Sequence, residues 1–94
     1  MNIALDFDGT FDLDPIFWET FIQEAQSRGH TVYLVTNNND SEYIYSAMED
    51  LLPYYQIFFS ENIAKKDFME SQGIKIDIWI DNEPEYILED KPIL

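Results

Sequence analysis

Residues 3 to 10 read Ile-Ala-Leu-Asp-Phe-Asp-Gly-Thr, an apolar run that closes on two carboxylates, Asp6 and Asp8, one residue apart. A carboxylate at the end of a buried strand is costly unless a cation neutralises it. Two of them, with Gly9 letting the chain turn sharply, fit a metal site in which one acid is free to attack an electrophile. Other apolar runs are also flanked by polar clusters. Thr36 closes TVYLVT and leads into Asn37, Asn38 and Asn39; Asp81 and Asn82 follow IDIWI; Lys65 and Lys66 stand just ahead of Phe68 and Met69. Asp6 and Asp8 alone read equally well as acids capping a turn. With a hydroxyl, a lysine and an acid–amide pair at the same sheet edge, chemistry is the better reading.

Strands and helices must alternate to bring these groups together, and the pattern provides for it. Strands are predicted over 3–7, 31–36, 56–59 and 76–80, with 92–94 as the stub of an edge strand. Asp14-Pro15 reads as an N-cap and first helical residue, and apolar positions recur at helical spacing until Arg28-Gly29. A second helix is expected from Asp40 or Ser41 to about 52, a third over 62–72 ending at Gly73, and a short one over 84–88. The order argues for an α/β fold: a three-layer Rossmann-like sandwich with a short, mainly parallel sheet of four to five strands flanked by helices. Residues 1–94 form one domain. In such a sheet ligands bind beyond the carboxyl ends of the strands, where all four clusters are expected.

Composition narrows the classes of function. The chain has 94 residues, 46% hydrophobic and 16% aromatic, enough for a single modest core. It has no cysteine, which excludes disulfides and thiolate metal sites. A net charge of −14 repels nucleic acid and anionic membrane, so neither is expected as a partner. No apolar run approaches the roughly 20 residues of a membrane span, and no signal-peptide pattern opens the chain. The expectation is a cytoplasmic protein. Trp18 and Trp79 are expected to pack, and His30 falls at the sheet end away from the acids. Tyr43, Tyr45, Tyr54 and Tyr55 read as core or rim aromatics, with a homodimer contact as the alternative.

The clusters resemble, over essentially the whole chain, the motifs of the haloacid dehalogenase (HAD) superfamily of aspartate-nucleophile phosphatases. Asp6, Asp8 and Thr10 match its Asp-x-Asp-x-Thr, and Thr36 matches its strand-ending Ser or Thr. A lysine precedes the last strand, and Asp81-Asn82 stands at the place of its acidic pair. The phrase Asp81-Asn82-Glu83-Pro84 is similar to carboxy-terminal-domain phosphatases and to small nucleotidase-like members. The resemblance implies a magnesium-dependent phosphohydrolase acting through an aspartyl phosphate, on a nucleotide or another small phosphomonoester. It makes Asp6 the nucleophile and a ligand of Mg2+, and Asp8 a ligand through its carbonyl and the acid–base group through its side chain. Thr10, Thr36, Asn37 and a lysine would meet the phosphate; Asp81 and Asn82 would complete the metal shell. Helical spacing from Phe68 and Met69 favours Lys65, whereas the Lys66-Asp67-Phe68 string favours Lys66.

Two departures qualify this. Asn82 takes the place of a second Asp, although an amide oxygen still ligates magnesium. The stretch between Thr10 and Thr36 is mostly one helix, so there is no cap domain and the crevice is open. The rival reading is therefore a catalytically weak or inactive core that binds metal, phosphate or a partner protein. A receiver domain has similar residues in a different order, and a dehalogenase has no use for Asp8.

Overall fold

The computed structural model describes residues 1–93. Four strands, β1 (Asn2–Leu5), β2 (Thr31–Thr36), β3 (Ile57–Phe59) and β4 (Ile78–Ile80), form one all-parallel sheet in the order β3-β2-β1-β4. Helices α1 (Pro15–Ser27), α2 (Ser41–Met48), α3 (Lys65–Ser71) and α4 (Glu85–Leu88) connect or follow the strands. This is the α/β sandwich that the alternation predicts.

The central strands β1 and β2 are largely buried on both faces, which is why they read as apolar runs, whereas the edge strands β3 and β4 are partly exposed. Ile3, Leu5, Val32, Leu34 and Ile57 share one core with Ile22 and Ala25 of α1 and Ile44 and Met48 of α2. Ala4 and Val35 point the other way and pack with Met69 of α3, flanked by Phe58, Phe68 and Trp79. The chain steps outward from β1 to β2 and β3, then returns to place β4 on the free side of β1. The reversal puts a crevice beyond the carboxyl ends of β1 and β4, the usual ligand position in open α/β sheets.

Capping sets the helix starts. The side chains of Asp14 and Asp40 accept from the backbone N–H of Phe17 and Tyr43, as N-caps do. Several elements are shorter than their sequence patterns. α2 stops at Met48, and the chain reaches Pro53 through turns. Residues 62–64 are loop, so Lys65 opens α3. β4 begins at Ile78, and Gln56 belongs to a 3-10 turn, Tyr54–Gln56. Pro92 and Ile93 form no strand, and Leu94 lies outside the described residues. Tyr43, Tyr54 and Tyr55 are more than half exposed, and Tyr45 packs on Phe59. Among the described residues no helix is long and apolar enough to cross a membrane.

Candidate active site

β1 ends one residue before Asp6, and the Asp6 amide donates to the Ile80 carbonyl at 3.0 Å, tying the two strand ends together. That bond fixes the carboxylate at the crevice between β1 and β4. The Lys65 ammonium reaches it from the first residue of α3, 2.8 Å from Asp6 Oδ1 and 2.6 Å from Asp81 Oδ2. All three side chains are nearly inaccessible to solvent. A buried lysine needs such partners, because an unpaired ammonium in a core is far costlier than a hydrogen-bonded one. Lys66 points outward instead, 3.7 Å from Glu70 on the exposed face of α3. The geometry thus separates two lysines that the sequence left in competition.

Burial pushes the Asp6 carboxyl up to about 6, against the opposing pull of Lys65. Two charge states of the group are therefore close in energy just below neutrality. Thr10 Oγ1 donates to Asp6 Oδ2 at a long 3.4 Å. Asp81 has both oxygens engaged, since Oδ1 accepts from the Glu83 amide at 2.9 Å. Its role in the arrangement is to hold Lys65.

Asn82 meets the other side of Asp6. The end of its amide that faces the strand lies 2.7 Å from Asp6 Oδ2 and 3.0 Å from the Asp8 carbonyl oxygen. With nitrogen at that end, both contacts are hydrogen bonds, and a carboxylate and a carbonyl are satisfied at once. With oxygen there, the amide oxygen stands 2.7 Å from a carboxylate oxygen and 3.0 Å from a carbonyl oxygen. Those spacings match an octahedron with magnesium–oxygen bonds of 2.0–2.1 Å, whose edge is about 2.9 Å. The donor set is all oxygen, the chemistry magnesium prefers. Among the described residues no three His, Cys, Asp or Glu side chains cluster as ligands; a metal held by Asp6 here would have to draw further ligands from a main-chain carbonyl and an amide.

The opposite wall comes from β2. Thr36 is buried, and its Oγ1 accepts from the Asn38 amide at 3.0 Å, which leaves the hydroxyl hydrogen free for an acceptor in the crevice. Asn38 also donates through Nδ2 to Asp8 Oδ2 at 2.9 Å and so aims the exposed Asp8 side chain. Asn37 was expected on substrate, but its Nδ2 donates to Ser60 Oγ at 3.1 Å and to the Glu61 carbonyl at 2.6 Å. Both of its amide hydrogens therefore tie the end of β2 to the loop after β3.

Asp6, Asp8, Thr36, Asn37 and Lys65 together line a cavity of about 150 Å³, with Asp81 behind Lys65. Asn38, Glu83 and Lys91 complete it, and none of these three stood out in the sequence. Asn38 looked like one of three equivalent turn residues, and only its register on the turn distinguishes it. Lys91 is distant in sequence from every motif. Four carboxylates and two ammonium groups share this wall, so the cavity is anionic and repels a phosphate dianion unless a cation enters first. The chain matches no protein-family model, no curated protein and no solved structure.

Proposed function

We propose that this protein is a phosphohydrolase of the HAD type, using magnesium and the Asp6 carboxylate to hydrolyse a small phosphomonoester. The observation that carries the reading is the setting of Asp6 itself. One oxygen is held by a buried lysine, and the other faces the amide of Asn82 and the carbonyl of Asp8. Turn capping does not require a buried lysine shared between two strand-end acids, whereas a nucleophile that must be ionised in a dry crevice does.

Magnesium held by Asp6, the Asp8 carbonyl and Asn82 would supply positive charge to a phosphoryl group that the four carboxylates otherwise repel. The remaining work falls to the chain. Asp6 attacks phosphorus as the bond to the ester oxygen breaks, and the Asp8 side chain gives its proton to that leaving oxygen. Asp8 then takes a proton from water as the water attacks the aspartyl phosphate, which restores Asp6 and releases inorganic phosphate. Lys65 fixes Asp6 and offsets charge on the transferring group. The free hydrogen of Thr36 is available to a phosphoryl oxygen. Asn38 orients Asp8 for both proton transfers.

The test is phosphate release from an activated aryl phosphate and a panel of small phosphomonoesters, with and without magnesium. Wild-type turnover that needs the metal and is lost in both Asp6→Asn and Asp8→Asn is the expected result. A folded, magnesium-binding protein without turnover would favour a binding module built on the same residues.

A further inference from the structure

Lys91 is a charged residue on the cavity wall that the scheme above leaves without a task. Its backbone is held rigidly for a residue so near the end of the chain. Its N–H donates to the Asn62 carbonyl at 2.8 Å, and the neighbouring Asp90 accepts from the Ala64 amide at 2.8 Å, at the start of α3. The side chain lies over the Tyr86 ring, with Nζ 5.3 Å from its centre and 3.6 Å from Glu83. Both Glu83 and Lys91 are close to half exposed, so this ion pair is a weak, solvent-screened contact. The ammonium is thus held in place by its backbone and the ring but is loosely bound as a charge.

Its position is also distinctive. The chain has five lysines and arginines against 19 acids. Arg28 and Lys66 sit on outer helix faces beside Glu24 and Glu70, Lys75 is exposed ahead of the start of β4, and Lys65 is engaged by Asp6 and Asp81. Lys91 lines the catalytic cavity of about 150 Å³ and also a second one of about 360 Å³, which begins beside it and Asn37. The smaller space suits a phosphoryl group, and the larger one is the open volume next to it. Glu61, Asn39, Asn62, Pro92 and Ile93 complete the lining of the second cavity, and Lys91 is the cation that faces it. Asn37 and Lys91 line both spaces, so a leaving group that extends from the first into the second lies beside Lys91.

We infer that Lys91 selects the substrate: a small polar phosphomonoester whose leaving group carries a second anionic group, a carboxylate or another phosphate, which displaces Glu83 as the partner of Lys91. This inference rests on the phosphohydrolase reading of the same site. The wall is otherwise acidic, so an ester with a second anionic group gains more from Lys91 than one with the phosphate alone, and loses more when Lys91 is neutralised. A charge-assisted bond to a flexible but pre-positioned ammonium is enough for discrimination of tenfold or more.

Three matched ligands test it: glycerol phosphate with no second anion, phosphoglycerate with a carboxylate, and propanediol bisphosphate with a second phosphate. Binding is read by calorimetry in magnesium, and phosphate release is read on the same ligands, for wild type, Lys91→Met and Lys91→Arg. Tighter wild-type binding of one or both two-anion ligands, lost at least tenfold in Lys91→Met and recovered in Lys91→Arg, is the expected pattern. Glycerol phosphate should lose several-fold less than the two-anion ligands, and the ligand favoured between the other two identifies the second group. Equal effects on all three ligands, or none, would overturn the role of Lys91. Binding that depends on Lys91 without any phosphate release would support the inference for the ligand and defeat the hydrolytic reading.

Discussion

The Asn82 amide lies directly against the Cα of Gly9, on the side where any other residue carries its Cβ. A Cβ built there overlaps the end of the amide turned away from Asp6 and comes within 2.7 Å of Cγ. Gly9 also has φ of +81°, a conformation that L side chains rarely adopt. The turn after the acid pair and the seat of Asn82 therefore demand the same glycine for two independent reasons. Gly9→Ala should cost roughly 1–3 kcal/mol in urea unfolding. Because the displaced group is Asn82, the variant should also bind magnesium at least tenfold more weakly than wild type by calorimetry. Unaltered magnesium binding in a folded Gly9→Ala protein would show that Asn82 does not contribute to the metal site.

The two faces of the same amide lead to a second prediction. Without metal, the nitrogen end of Asn82 hydrogen-bonds Asp6 and the Asp8 carbonyl, so the amide stabilises a carboxylate that has no cation beyond Lys65. A carboxylate at this position would face Asp6 across 2.7 Å with nothing between. Asn82→Asp should therefore lower the thermal midpoint in chelator by several degrees. It should recover more than wild type on adding magnesium, and its magnesium affinity should rise. Equal midpoints in chelator would mean that the amide gives the metal-free site no support.

Lys65 should be indispensable to the fold as well as to the chemistry. Its removal leaves Asp6 and Asp81 buried and facing a space without a positive charge. Breaking a buried pair in this way costs about 3–5 kcal/mol, much of the 5–15 kcal/mol that holds a small domain together. Lys65→Met should be severely destabilised in chemical denaturation, and Lys65→Met/Asp81→Asn less so, since the second change removes a stranded charge. Lys66→Met should be within about 0.5 kcal/mol of wild type, because its contact with Glu70 is exposed.

Much of this arrangement was legible in the sequence, and the reasons differ from residue to residue. Asp6, Thr36 and Asp81 end or follow apolar runs, so a parallel sheet had to bring them to one edge. Lys65 could be preferred to Lys66 from helical spacing, because it stands three residues before Phe68 and four before Met69, whereas Lys66 fits only Met69. Asn38 and Lys91 were not legible, since each acts through a turn or a chain end whose course depends on tertiary contacts. The contacts of Asn37 were not legible for the same reason: a residue's place after a strand does not reveal that Ser60 and Glu61 will occupy its amide hydrogens. The shortened start of α3 also reflects tertiary context. The end of the chain crosses residues 62–64, where Asp90 and Lys91 occupy the backbone groups of Ala64 and Asn62.

The raised Asp6 carboxyl predicts an unusual pH dependence of stability. Most carboxylates are held below their unfolded range, and their contribution is lost as pH falls. Asp6 behaves in the opposite way, because the native state keeps its proton up to about 6 whereas the unfolded chain releases it near 3.8. Between those values the native protein binds more protons than the unfolded one. The contribution of Asp6 is therefore greatest below pH 3.8, falls as pH rises through the window, and is level above it. The fall amounts to roughly 2–3 kcal/mol. Asn at position 6 keeps the shape but does not titrate, so it isolates the effect from that of the other 18 acids. In chelator, the stability of wild type minus that of Asp6→Asn should decrease by this amount between pH 4 and about pH 7. Magnesium favours the ionised form and should abolish the decrease. A difference that stays flat, or that rises with pH, would show that Lys65 outweighs burial and that Asp6 is an ordinary strong acid in the folded protein.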